Sequence, residues 1–247
     1  MTAHLFRLPP GTLGELTTGS TVTLGGAEGH HAATVKRTGV GEEILVADGS
    51  GLLATARVRE VGSGELRLEI VDVREGAVAG PRLVLVQALA KGGRDEQAVE
   101  AATELGVDGV LAWQADRCIV RWRGERAEKS LAKWGSVAAA AAKQARRATV
   151  PSVEGPVSSA GLADLVRASA LTVVLHEDAE EPLAGLELPA DGDVLVVVGP
   201  EGGISPGELE AFSAAGARQV RLGPTVLRSS SAGPAALAVL NAVSRWR

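Results

Sequence analysis

Three stretches in the last third of the chain carry residue types whose spacing could do chemistry. The richest is Val198-Gly199-Pro200-Glu201-Gly202-Gly203-Ile204-Ser205, with three glycines in five residues and a carboxylate among them. Glycine tolerates positive φ and lets backbone amides approach a ligand with no Cβ in the way. Ser205-Pro206-Gly207-Glu208 then supplies an N-cap, a proline at N1 and a glutamate at N3, so a helix with a capping box is expected directly after the turn. A helix N-terminus beside such a turn suits an anion, but Glu201 disfavours phosphate and favours a cationic or hydroxyl-bearing ligand. The other two stretches are Leu175-His176-Glu177-Asp178-Ala179 and the run from Leu222-Gly223-Pro224 through Arg228-Ser229-Ser230-Ser231 to Gly233. His176 could serve as a general base or simply pin its loop. The serine run could cap a final helix with Pro234 in its first turn.

Familiar phosphate motifs are missing. The sequence has no GxxxxGK[ST] and no GxGxxG after a strand, and its terminal serine run does not fit the nucleophile elbow GxSxG, because Ser229 and not glycine stands two residues before Ser231. Kinases, dinucleotide dehydrogenases and α/β-hydrolases are therefore poor fits. One cysteine, Cys118, cannot form an internal disulfide, and with four histidines and no CxxC or HxxxH pair a structural zinc site is not expected. Aromatics at 2% argue against a base-stacking platform as the mode of nucleic-acid binding. No apolar run approaches the roughly 20 residues that span a bilayer. The N-terminus lacks the succession of a secretory signal, so a reducing cytoplasm is the expected location.

The elements that must position these stretches read as α/β. Residues 43–48, 52–61 and 65–73 are short strands separated by Asp48-Gly49-Ser50-Gly51 and Gly62-Ser63-Gly64, the pattern of a small barrel or sandwich. Residues 74–81 read as a linker. Beyond it, apolar strands at 83–89, 109–113, 171–175, 194–198 and 219–222 alternate with helices at 95–105 and 127–148. Continuous Val/Leu runs of this kind indicate a parallel sheet covered on both faces. In such a sheet ligands bind beyond the carboxyl ends of the strands, where the three stretches fall.

Net charge is −5, which by itself argues against a polyanionic partner. The distribution argues the other way. Residues 117–147 hold nine Lys or Arg against two Glu, whereas residues 176–210 hold ten Asp or Glu and no Lys or Arg. A chain so divided can offer a polyanion one basic face while remaining acidic overall.

Taken together, Leu-His-Glu at 175–177, the 198–205 stretch and Leu-Gly-Pro-Thr-Val-Leu-Arg at 222–228 resemble the RsmE family. These are bacterial 16S ribosomal RNA uracil-N3 methyltransferases of the SPOUT superfamily. The resemblance extends through Thr103-Glu-Leu-Gly-Val107, Arg117-Cys118, Trp134 to Gln144, Arg147, Pro151, and, near the N-terminus, Arg7, His31, Val35, Arg37 and Asp48 to Gly51. It implies a PUA-like β-barrel over residues 1–75 and a catalytic α/β domain with a trefoil knot over 82–247. It further implies a homodimer acting on 16S rRNA, within the assembled small ribosomal subunit, and S-adenosyl-L-methionine as cofactor. The implied cofactor contacts are Leu175 and His176; Val198, Gly199, Pro200, Glu201, Gly202 and Gly203; and Leu222, Gly223, Val226, Leu227 and Ser229. RNA contacts are expected from Arg7, His31, Arg37, Arg117, Arg121, Arg123 and Arg147.

Five positions depart from the family pattern. Ser229-Ser230-Ser231 replaces Thr-Glu-Thr, Lys143 stands for a glutamate, and Ala101 for a lysine. Methyl transfer to N3 is mostly a matter of positioning, but ionising N3 near neutral pH costs about 3–4 kcal/mol. Arg228 is the expected stabiliser of the resulting oxyanion. Glu201, or a hydroxyl of Ser229 or Ser231, is the candidate to accept the proton or orient the base. A ribose 2′-O methyltransferase and a non-catalytic RNA-binding adaptor are the rival readings.

Overall fold

The computed structural model describes residues 3–76 and 80–246. They fall into two compact units. One holds the described residues up to Gly76 together with Ala142–Val150; the other holds Gly80 to Ala141 and the described residues from Pro151 onward. The expected linker at 74–81 is partly strand, at residues 74 and 75, and its residues 77–79 lie outside the described residues.

The first unit contains β1 (Leu5–Arg7), β2 (Thr21–Leu24), α1 (Gly26–His30), β3 (Glu43–Ala47), β4 (Leu52–Val61) and β5 (Leu66–Glu75). The sheet order is β1-β3-β4-β5-β2, with β1 parallel to β3 and the other pairs antiparallel. Alternation in β5 turns Leu66, Leu68 and Ile70 into a core with Phe6, Ile44, Val46 and Val58. Register shifts at Thr55/Ala56 and Val58/Glu60 mark irregularities of the kind that bend a long strand and curl a sheet. Thr149 bridges Gly49 and Ser50, and Arg7 donates to the carbonyls of Ala148 (3.1 Å) and Arg147 (2.9 Å), which explains why 142–150 belongs here. The boundary expected at 75/82 therefore misses a returning segment.

The second unit runs β6 (Arg82–Ala88), α2 (Arg94–Glu104), β7 (Gly109–Trp113), α3 (Glu125–Gln144, its last residues counted with the first unit), β8 (Ser152–Val157), α4 (Ser159–Ala168), β9 (Leu171–Leu175), β10 (Asp193–Val198), α5 (Pro206–Ala214), β11 (Arg218–Val220) and α6 (Ser229–Val243). Its six strands are all parallel, in the order β11-β9-β10-β6-β7-β8. The α/β architecture read from the sequence is thus present, a curled mixed sheet followed by a parallel one. The central strands are buried beyond their first residues, as their Val/Leu runs require. Among the described residues no helix is long and apolar enough to cross a membrane.

Several local expectations change. Helix α3 stops at Gln144 and not at 148, because Arg146 adopts φ 56°. Arg147 N–H donates to Ala142 O (2.9 Å) and Arg146 N–H to Lys143 O (3.1 Å), a Schellman ending with arginine where glycine is usual. Strand β8 was not expected; Gly155 and Pro156 obscure it, and an edge strand tolerates both. The N-cap of α6 is Arg228, with no side-chain cap, so the three serines form the first turn and Pro234 sits in the second. That helix lies close on the sheet: a Cβ on Gly233 would be 2.7 Å from Leu85 Cδ1. Asn241 Nδ2 donates to Leu105 O (2.8 Å) and Arg245 pairs with Asp108, fixing its far end.

Candidate active site

Parallel pairing places Val198 beside Gln87 and Val220 beside Leu175, so the loops after β9, β10 and β11 leave one rim of the sheet. The β10–α5 loop is the most constrained. Gly203 N–H donates to Pro200 O (2.9 Å), closing a tight turn with Gly203 at φ +75°. Gly199 leaves no room for a side chain, since a Cβ there would sit 2.7 Å from Ile204 Cγ1. The capping box is as expected: Glu208 N–H donates to Ser205 Oγ (3.3 Å) and Ser205 N–H to Glu208 Oε2 (2.9 Å).

Glu208 is buried because its other oxygen is also used. Oε1 accepts from Asp116 N–H (2.8 Å) and Ser159 Oγ (2.6 Å), while Ser205 Oγ lies 3.0 Å from Asp116 Oδ2. One carboxylate thereby locks the start of α5 to the 114–123 loop and to α4. Arg117 Nη1 adds a bond to Gly202 O (3.2 Å), and Arg94 Nη1 one to Glu201 Oε1 (3.0 Å).

The other two loops make fewer side-chain hydrogen bonds among the described residues. His176 Nδ1 accepts from Asp178 N–H (3.2 Å), so its ring pins its own loop. In the third loop Val226 is 75% exposed and Arg228 is exposed, its side chain making no hydrogen bond or ion pair among the described residues. Ser229 Oγ is buried and has no hydrogen-bond partner among the described residues, an orphan polar atom in the cavity wall. The three loops surround a cavity of about 890 Å³. Leu175, His176, Val198, Gly199, Pro200, Glu201, Gly202, Gly203, Leu222, Gly223, Val226, Leu227, Arg228 and Ser229 all line it, as does Arg117. Sequence reasoning missed Arg94, Arg221 and Leu209 in that wall. A signal for Arg94 existed: it follows a strand and Gly92-Gly93, the same strand–glycine–helix pattern as the second loop.

The expected RNA-binding residues divide between the units. Arg7, His31, Arg37 and Arg147 lie in the first, Arg117, Arg121 and Arg123 in the second. Arg7 is half-buried, and burial pulls its guanidinium below the ordinary arginine value against the pull of Glu28 and Asp48. His31 sits 6.1 Å from the Phe6 ring, and Arg147 Nη2 reaches Thr149 Oγ1 at 3.4 Å. Arg121 donates to Ala115 O (3.1 Å) and Asp116 O (2.7 Å). Arg37 and Arg123 are exposed and unpartnered among the described residues. Lys143, at the position of a family glutamate, pairs with Glu28 at 2.6 Å. Burial pushes the Cys118 thiol up, consistent with an inert core sulfur. Burial likewise raises the Asp95 carboxyl, which accepts from Ala90 N–H (3.2 Å) beneath the β6–α2 loop.

Residues 79–241 match a family model described as an RNA methyltransferase domain, and residues 24–71 one described as an RNA methyltransferase PUA domain. Ribosomal RNA small subunit methyltransferase E of Mycobacterium bovis is 45% identical over 234 residues, covering 93% of this chain and 89% of the relative. The chain belongs to the ribosomal RNA small subunit methyltransferase E family. The Bacillus subtilis family member is 26% identical and covered to 90% in both directions. Among solved structures, a ribosomal RNA small subunit methyltransferase E from Neisseria gonorrhoeae bound to S-adenosyl methionine superposes with a TM-score of 0.83 at 27% identity, covering 98% of each chain. A protein from Legionella pneumophila in complex with the bound cofactor SAM gives a TM-score of 0.80 at 28% identity, also covering 98% of each chain.

Proposed function

We propose that this member of the family transfers a methyl group from S-adenosylmethionine to N3 of a specific uridine in 16S ribosomal RNA. The observation that carries the reading is the convergence of three rim loops on one cavity of about 890 Å³, in a chain whose Neisseria relative is described with S-adenosyl methionine bound. The residues present fit that donor. The Gly199–Gly203 turn offers backbone groups for the donor, Ser229 Oγ lacks a partner among the described residues, and Glu177 and Asp178 supply negative charge toward a sulfonium. When bound, the donor supplies an electrophilic methyl group.

The chain's own residues then orient the base and manage its charge. Arg228, with its donors uncommitted, is free to bond a uracil carbonyl and stabilise the anion formed as N3 gives up its proton. The hydroxyl of Ser229 or Ser231 orients the base by hydrogen bonding, and the N3 proton passes to solvent water. Arg37 and Arg123 grip phosphates, with Arg117, Arg121, Arg147, His31 and Arg7 shaping the two basic surfaces; such contacts position the RNA and do not read its sequence. The target base must leave its stack, at a cost of a few kcal/mol. With a net charge of −5, a structured small subunit is the better substrate than free RNA. Exposed Val226 and Leu227 beside the cavity favour a homodimer that covers them. A cytoplasmic setting and a trefoil knot threading the C-terminal unit belong to the same proposal.

The test is to incubate the protein with unmethylated small subunits and labelled donor, then map the product by mass. A single N3-methyluridine is the expected product. Methyl on a ribose would establish the 2′-O reading, and no donor uptake by calorimetry would establish the adaptor.

A further inference from the structure

Arg94 belongs to none of the three loops, yet it lines the cavity and reaches Glu201 Oε1 at 3.0 Å. Its place does nothing for its own helix. It is the first residue of α2, where the positive end of the helix dipole opposes a cation. The neighbouring carboxylate Glu96 is taken by Lys133 at 2.6 Å, and among the described residues Glu201 is the ion-pair partner of Arg94. Arg117 touches the same turn, donating to Gly202 O at 3.2 Å and leaving 3.3 Å between its carbonyl oxygen and a Cβ placed on Gly202. Arg117 thus holds the turn through backbone, and Arg94 holds it through the Glu201 side chain. To take a proton, Glu201 would have to release the guanidinium.

We infer that Arg94 is a positioning residue for the methyl donor: paired with Glu201, it keeps the Gly199–Gly203 turn in its donor-receiving shape, and Glu201 acts as a tether and not as the proton acceptor. This rests on the donor-binding reading of the cavity. The tests are Arg94→Ala, Glu201→Gln, Arg94→Lys and the reciprocal Arg94→Glu/Glu201→Arg pair, each in the full chain. Donor Kd is read by calorimetry with S-adenosylmethionine, and kcat, KM and their pH dependence on small subunits. Both charge-removing variants raise Kd and donor KM about fivefold, equal to about 1 kcal/mol, because the pair is partly exposed. The change falls on KM and not on kcat, while Arg94→Lys and the reciprocal pair recover most of the affinity. Collapse of kcat at saturating donor in Glu201→Gln, with an altered pH profile, would overturn the inference by making Glu201 the base. A reciprocal pair no better than the single variants would overturn it too. Failure of the underlying reading is separate, since it shows as a wild-type chain that takes up no donor.

Discussion

Replacing Gly203 by alanine isolates what the cavity asks of its tightest turn. The nearest atom to an added Cβ is Arg117 Nη1 at 3.7 Å, an ordinary contact, so sterics outside the backbone are not the issue. The issue is φ +75°, a conformation that costs an L-residue about 1–2 kcal/mol. At the size of this chain that corresponds to a fall in Tm of about 2–8 °C. If the strained turn relaxes before the donor arrives, binding must restore it, and Kd for S-adenosylmethionine rises about 5- to 30-fold. Gly207→Ala is the control: it lies in the first turn of α5 with no atom within 4 Å and no positive φ, so it leaves donor affinity alone and gains about 0.4–1 kcal/mol of stability. Thermal unfolding and calorimetry on the three proteins decide the matter. Gly203→Ala with wild-type Kd, whatever its Tm, would refute the claim that the donor needs this turn in this shape.

Arg228→Ala changes stability by less than about 0.5 kcal/mol, because the side chain is exposed and unpartnered. The same change lowers kcat about 10²- to 10³-fold while donor Kd stays within severalfold, and undiminished turnover would reject its role. Glu208→Ala strands the Asp116 and Ser205 N–H groups and the Ser159 hydroxyl, with about 1–3 kcal/mol lost for each donor left buried and dry; denaturant unfolding measures it. Burial of Asp48 pushes its carboxyl up, but bonds from Ser50 Oγ (2.6 Å), Ser50 N–H (3.0 Å) and Leu13 N–H (2.8 Å) outweigh this and hold it below its ordinary value. Its stabilisation is therefore present above the unfolded-state value and lost as pH falls through the folded one. In urea unfolding, Asp48→Asn shows its full deficit near neutral pH and a shrinking one below about pH 4.

Much of this was legible before any coordinates, where the signal is local. The Ser205–Glu208 capping box depends on four consecutive residues and forms as written. The Val/Leu runs at 171–175 and 194–198 become β9 and β10 within a residue, because a strand buried on both faces has no alternative composition. The end of α3 was misplaced since Arg146, not glycine, takes the left-handed conformation, and only the hydrogen bonds to Ala142 and Lys143 reveal it. Strand β8 was hidden for a related reason: neighbours in the sheet, not propensity, hold Ser152–Val157 extended.

The sequence alone determined which residues could bind, cap or carry charge, since those properties belong to side chains and to spacings of a few positions. Tertiary structure decided which of them meet. Parallel strand order brought residues 175–178, 198–204 and 222–229 to a single cavity, and set Arg94 against Glu201 across 107 positions of chain. It also returned 142–150 to the first unit through Thr149 and the carbonyls that Arg7 binds. The reason is physical: long-range pairings follow from burying apolar faces and satisfying backbone groups over the whole chain, a condition that no short window of residues contains.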